Sequence, residues 1–251
     1  MKERPILFSG PMVRGICEDR KNLTRRIVKW RGLERGLNLS FSGLSVERSG
    51  SNFVLTSPTR DSYAYRSVPQ PCPYGQVGDR LWVRETWGIG SRPDPWGGFE
   101  GIEYRADQAL LEPDDLLPCY KATTPDDVCL GDYSSGWKPS IHMPRWASRI
   151  TLEITGVRVE RLQSISDEDC IAEGIELSHI DSRSRKQWRM YPHTDGMPGP
   201  DGELVRYCGS PYNSSPRESF KSLWLSINGP GSWDPNPWVW VVEFKRLESP
   251  Q

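Results

Sequence analysis

The run Arg20-Lys21-Asn22-Leu23-Thr24-Arg25-Arg26 sets an amine and a hydroxyl three residues apart inside a concentration of positive charge. A threonine hydroxyl is a poor nucleophile until a neighbouring base takes its proton. A lysine crowded by Arg20, Arg25 and Arg26 gives up its own proton more easily, because like charge disfavours the ammonium. Lys21 and Thr24 therefore read as a base and a nucleophile. The same run also reads as an anion grip, with Arg25 and Arg26 on phosphates and Arg20 beside them. The structural alternative is a solvated basic face, in which Lys21 is a cation at a helix C-terminus and Thr24 a plain strand residue.

Charge is distributed unevenly along the chain. Residues 1–36 carry ten Lys or Arg against four Asp or Glu, and residues 97–135 carry two against nine. The net charge is −1, so the chain as a whole is no polycation and an anion site must be local. The expected partner is nucleic acid or a nucleotide. The eleven tryptophans divide between core and stacking platforms for bases, with Trp82, Trp87 and Trp146 open to either role. The six cysteines form no C-x-x-C pair, and Cys17 and Cys170 fall on apolar helix faces. They read as reduced core thiols of a cytoplasmic protein. His142, His179 and His193 lack metal-ligand spacing, so neither a metal nor a cofactor is expected. The start of the chain has no apolar signal region, and no apolar run nears the ~20 residues that span a membrane.

These side chains need elements to position them. A strand is expected at residues 5–8. Ser9 and Pro11 then open a helix whose apolar face is Met12, Val13, Ile16 and Cys17. That helix ends near Asp19, which leaves Lys21 and Thr24 just beyond its C-terminus. In residues 80–87, Leu81, Val83, Glu85 and Trp87 share one strand face; Arg80, Trp82, Arg84 and Thr86 share the other. Glu85 is thus either a wet strand end or a partnered carboxylate, with Lys21 or a neighbour of Arg84 as the partner. Residues 149–162 are the longest strand signal, and the shift of apolar phase at Gly156 predicts a bulge and a bend.

Ser166 and Asp169 form a capping box, Ile165 staples onto Cys170, and Gly174 ends the helix with Glu173 as its last residue. A carboxylate there opposes the helix dipole by up to ~1 kcal/mol. Ser215-Pro216-Arg217-Glu218 caps a final helix with an apolar stripe of Phe220, Leu223, Trp224 and Ile227. Residues 238–244 read as a central strand, apolar on both faces. A weak strand near residues 52–56 lies in the Gly-, Ser- and Pro-rich tract 31–74; the tracts 88–136 and 176–214 read as further loop insertions. The fold class is α+β, a small bent β-barrel with flanking helices and long loop insertions.

The run 20–26, Gly78-Asp79-Arg80-Leu81-Trp82-Val83, the capped helix within 162–174 and the strand 238–244 together resemble an ASCH domain. This is a PUA-like β-barrel family associated with RNA metabolism. Residues 81–87, 142–149 and 227–233 further resemble runs of phage and prophage ASCH proteins. The resemblance covers a single domain whose core is residues 4–29, 75–87, 137–175 and 215–246. It implies an N4-acylated cytidine amidohydrolase in which Lys21, Thr24 and Glu173 are catalytic. Arg20, Arg25, Arg26, Trp82, Arg84, Glu85, Trp87, Arg145 and Trp146 would hold the substrate or nucleic acid. It equally admits a non-catalytic reader of RNA or modified DNA, or a ribonuclease.

Overall fold

The computed structural model describes residues 1–58, 63–92, 99–111, 136–191, 194–198, 204–206 and 212–247. In chain order the elements begin with β1 (Glu3–Leu7), α1 (Gly10–Cys17), β2 (Leu23–Ile27), β3 (Ser45–Ser49), β4 (Asn52–Pro58), β5 (Tyr63–Tyr65) and β6 (Gln70–Pro71). Next come β7 (Arg80–Arg84), β8 (Trp87–Arg92), β9 (Phe99–Tyr104), β10 (Ala109–Leu111), β11 (Thr151–Arg161) and α2 (Asp167–Ala172). The chain continues through β12 (Leu177–Ile180), β13 (Lys186–Arg189), β14 (Thr194–Pro198), β15 (Leu204–Arg206), β16 (Tyr212–Asn213), α3 (Pro216–Asn228) and β17 (Trp238–Leu247). Sheets dominate and helices are few, so the class is α+β. No helix among the described residues is long and apolar enough to cross a membrane.

The expected closed barrel is not formed: among the described residues every sheet is open. The phase shift at Gly156 is no break, because β11 runs through it as one eleven-residue strand. A Cβ at Gly156 would stand 2.5 Å from Oε2 of Glu243, so the glycine makes room for that side chain. The tracts read as loop insertions carry paired strands, β3–β6, β8–β10 and β12–β16. β4 answers to the weak strand expected near residues 52–56; the Gly and Ser content of the tracts hid the others, which are specified by mutual antiparallel pairing rather than by propensity. Residues 112–135 of the acidic tract, with Cys119 and Cys129, lie outside the described residues, as do His193 and Cys208.

The chain forms two compact units, each assembled from separated stretches. The first comprises Met1–Asp19, Tyr74–Thr155 and Phe244–Gln251. In it β1 pairs in parallel with β7, and β7 pairs antiparallel with the start of β11. The β8–β9–β10 sheet packs around Trp87, Ile102, Tyr104, Met143, Trp146 and Ala147. Short 3-10 turns lie at Ser140–His142 and Arg145–Ala147.

The second unit comprises Arg20–Pro73 and Gly156–Glu243. Here β2 pairs antiparallel with β17, from Leu23 opposite Glu243 to Ile27 opposite Val239. The face of Leu23, Val239 and Val241 packs against Leu162, Cys170, Phe220 and Trp224. The opposite face carries Trp240, whose ring meets Phe53 edge-on at 5.1 Å. The buried side of α3 is rotated from the expected stripe: Ile227 is exposed, while Ser219 and Ser222 are buried. The serines repay burial by bonding backbone, Ser219 Oγ donating to Arg189 O at 2.6 Å and Ser222 Oγ accepting from Tyr191 N at 3.0 Å.

The capping of α2 follows the sequence, with Ser166 Oγ accepting from Asp169 N at 3.1 Å. Ser166→Ala removes that acceptor and should lower unfolding free energy by about 1 kcal/mol. The check is the urea midpoint at constant m-value; an unchanged midpoint would show the cap to be dispensable.

Candidate active site

The last carbonyls of α2 have no partners within the helix. The helix stops at Ala172, so Glu173 is its C-cap rather than its last residue, and Gly174 turns away with φ 88°. The chain leading into β2 returns alongside this end. Asn22 N donates to Ala172 O at 3.0 Å, and Lys21 and Glu173 form an isolated antiparallel bridge. A Cβ at Gly174 would stand 2.9 Å from Lys21 Cβ. Glycine is thus needed both for the left-handed turn and for the close approach of Lys21.

That bridge buries the Lys21 side chain, and the residue is only 3% exposed. Its Nζ donates to Glu173 Oε2 at 2.7 Å, to Glu173 O at 2.9 Å and to Leu23 O at 2.7 Å. Burial pulls the Lys21 pKa below its ordinary 10.5; the Glu173 carboxylate pulls it back up, and Arg26 and Arg25 push it down. The Leu23 carbonyl belongs to the peptide that joins Leu23 to Thr24. The amine therefore lies against the backbone of the candidate nucleophile. Thr24 is buried opposite Val242, and its register puts it on the Arg26 and Trp240 face of β2. Leu23 and Arg25 belong to the other face.

The arginines of the run have separate fates. Arg20 donates from Nη1 to Gly174 O at 3.1 Å and so caps the end of α2. Arg25, read as a phosphate contact, has a side chain 0% exposed and held by carboxylates: Asp169 at 2.5 Å, Glu173 at 3.7 Å and Glu160 at 3.8 Å. Arg26 is half-buried on the Thr24 face.

The remaining sequence candidates lie in the first unit. Glu85 is 1% exposed, and its partner is neither Lys21 nor a neighbour of Arg84. It receives a two-pronged grip from Arg149, Nε to Oε1 and Nη2 to Oε2, both at 2.9 Å. Arg149 also holds Asp107 at 2.8 and 2.9 Å and lies 4.1 Å from the centre of the Tyr104 ring. Burial pushes the Glu85 carboxyl up against the pull of Arg149. The hydrogen bonds and charge of Arg149 outweigh burial at Asp107 and hold it below the usual carboxylate range. Trp82, Trp87 and Trp146 are buried, and Trp87 meets Trp146 edge-on at 5.8 Å. Arg84 and Arg145 cover Trp82 at 4.6 and 5.8 Å, and Arg145 also pairs with Glu3 at 3.1 Å. These tryptophans take the core role of the two left open.

Arg149, Asp107, Arg158 and Asp169 belong to the two charge clusters yet were not singled out as site residues. A buried Glu85 demands a cation, and that was the available signal for Arg149. Nothing in the spacing pointed to Asp107 or Arg158. Among the described residues no group of three or more His, Cys, Asp or Glu is placed to hold a metal ion. No family model, curated protein or solved structure matches this chain.

Removing one partner of a buried ion pair leaves the other uncompensated and costs about 3–5 kcal/mol. Glu173→Gln should lose that much at pH 7. Lys21 has a lowered folded pKa, so the unfolded chain binds more protons than the folded one between that value and 10.5. Stability then rises with pH across this window. Glu173→Gln widens the window, so its deficit should shrink between neutral pH and pH 10.5. Urea midpoints across that range decide it; a constant deficit would contradict a charged Lys21 as its source.

Proposed function

We propose that this chain is an ASCH-like amidohydrolase acting on N4-acylated cytidine-type substrates, with Lys21, Thr24 and Glu173 as its catalytic residues. The observation that carries this reading is the buried contact of 2.7 Å between Lys21 Nζ and Glu173 Oε2. Residues separated by 152 positions in sequence come together as one buried ion pair. The downward shift of the Lys21 pKa supports its service as a base.

In the proposed step neutral Lys21 takes the hydroxyl proton of Thr24. The Thr24 oxygen attacks the acyl carbon, the carbon–nitrogen bond breaks, and the exocyclic nitrogen of cytosine leaves with a proton passed from Lys21 through Glu173. Water then loses a proton to Lys21 and attacks the acyl-threonine ester; the carboxylic acid leaves as the Thr24 oxygen takes the proton back from Lys21. Arg20 and Arg26 flank the pair and would hold ribose or phosphate. The rival reading is a non-catalytic reader of RNA or modified DNA, and a weaker one is a ribonuclease.

Turnover of a panel of N4-acylated cytosine nucleosides, followed by chromatography, tests the proposal. Thr24→Val, of nearly equal volume, should abolish turnover with little loss of melting temperature, and Lys21→Ala should abolish it too. The wild-type rate should rise with pH through the lowered pKa of Lys21. Full turnover by Thr24→Val would refute the nucleophile. No turnover by the wild type would move the weight to binding, where Arg26→Ala should weaken affinity and flatten its salt dependence.

A further inference from the structure

Charges alternate through the second unit from Lys21 outward. Lys21 takes one oxygen of Glu173 at 2.7 Å, and Arg25 Nη1 faces the other, Oε1, at 3.7 Å. Arg25 Nη2 donates to Asp169 Oδ2 at 2.5 Å and lies 3.8 Å from Glu160. Outside these, Arg158 binds the same Asp169 oxygen at 2.5 Å and is paired with Glu160 and Glu243. The Phe220 ring of α3 lies 5.9 Å from the Arg25 guanidinium and closes that side.

Arg25 Nε and Nη1 and Glu173 Oε1 have no hydrogen-bond partner among the described residues. All three atoms are buried, and the facing donor and acceptor carry opposite charge. Each therefore has the other as its compensating group. A lysine at this position would present a single point of charge; the arginine fork reaches Asp169 with one arm and Glu173 with the other.

We infer that Arg25 is the positioning residue of the Lys21–Glu173 pair: anchored by Asp169 and Glu160, it fixes the Glu173 carboxylate so that Oε2 faces Lys21. Its catalytic meaning rests on the hydrolase reading; its electrostatic role does not. The charged groups facing Lys21 are Glu173 from the end of α2 and Arg25 and Arg26 from β2. Those facing Arg25 are Glu160 from β11 and Asp169 and Glu173 from α2.

The test is a double-mutant cycle read without substrate. The Lys21 titration midpoint is followed by nitrogen NMR in the full chain for wild type, Glu173→Gln, Arg25→Met and the double variant. Glu173→Gln should lower the midpoint. If Arg25 positions Glu173, the same substitution made on Arg25→Met should lower it by about half as much or less. An equal shift in both backgrounds would overturn the inference, because Arg25 would then act only as a background charge. Should any of these variants fail to fold, Arg25→Lys keeps the charge and loses the fork. Exchange of the Lys21 ammonium protons should then be faster than in wild type, and wild-type exchange would overturn the inference. If wild type turns over acylated cytidine, Arg25→Lys should lower kcat about tenfold at unchanged KM. Absence of wild-type turnover refutes the hydrolase and leaves the cycle readable.

Discussion

The ion pair between Lys21 and Glu173 has been taken out of water, and a charge in that position must be answered or given up. Much of the surrounding geometry follows from the answer. The ammonium has three donors and three acceptors within reach, two of them backbone carbonyls at a helix end and at the start of a strand. Gly174 has no side chain because Lys21 lies where one would be. Glu173 stands at the negative end of α2, a poor place for a carboxylate, and is made tolerable by a cation on each oxygen. Arg25 in turn needs Asp169 and Glu160, and these need Arg158, which at 37% side-chain exposure reaches solvent. One desolvated lysine thus stands at the head of a chain of five further charged side chains.

The first unit meets the same problem at Glu85 with a different solution. There the buried group is the carboxylate, and a single arginine grips both its oxygens. Arg149 is itself held by Asp107 and lies against the Tyr104 ring. Every charged atom in this cluster is matched, whereas the Arg25–Glu173 contact leaves three polar atoms without hydrogen bonds among the described residues. A fully matched cluster serves rigidity. An incompletely matched one leaves buried donors and an acceptor facing one another, and this separates the surroundings of Glu85 from those of Glu173 although both are buried glutamates.

The elements bearing the pair were legible in the sequence because local signals set them. Ser9 and Pro11 opened α1, Ser166 and Gly174 bounded α2, and the apolar run at 238–244 gave the heart of β17. Residues whose role depends on distant partners were misread. Arg25 looked like a phosphate contact because its neighbours in sequence are cationic, yet Asp169, far along the chain, claims it. Gly156 looked like a barrel corner because a change of apolar phase does not reveal that Glu243 needs the space. Ser219 and Ser222 interrupted the expected stripe of α3, and only the open backbone groups at Arg189 and Tyr191 explain their burial. Apart from β4, the strands of tracts 31–74, 88–136 and 176–214 were hidden for a related reason: their pairing is a property of two segments, and neither alone alternates strongly.

The three bonds to Lys21 bear directly on whether the residue caps or catalyses. An ammonium uses all three donors, so a permanently protonated Lys21 is a cap for α2 and nothing more. A neutral amine has two donors and a lone pair, and one of the three bonds must lapse when the proton leaves. The two carbonyls can only accept, so neither can take that proton. Glu173 Oε2 alone among the three acceptors is a base, and it lies at 2.7 Å. Burial pulls the Lys21 pKa down and the carboxylate of Glu173 pulls it back up, so two opposed effects meet at this one amine. A cap requires no such balance. The proposed base would require it, because it must regain its lone pair within each cycle.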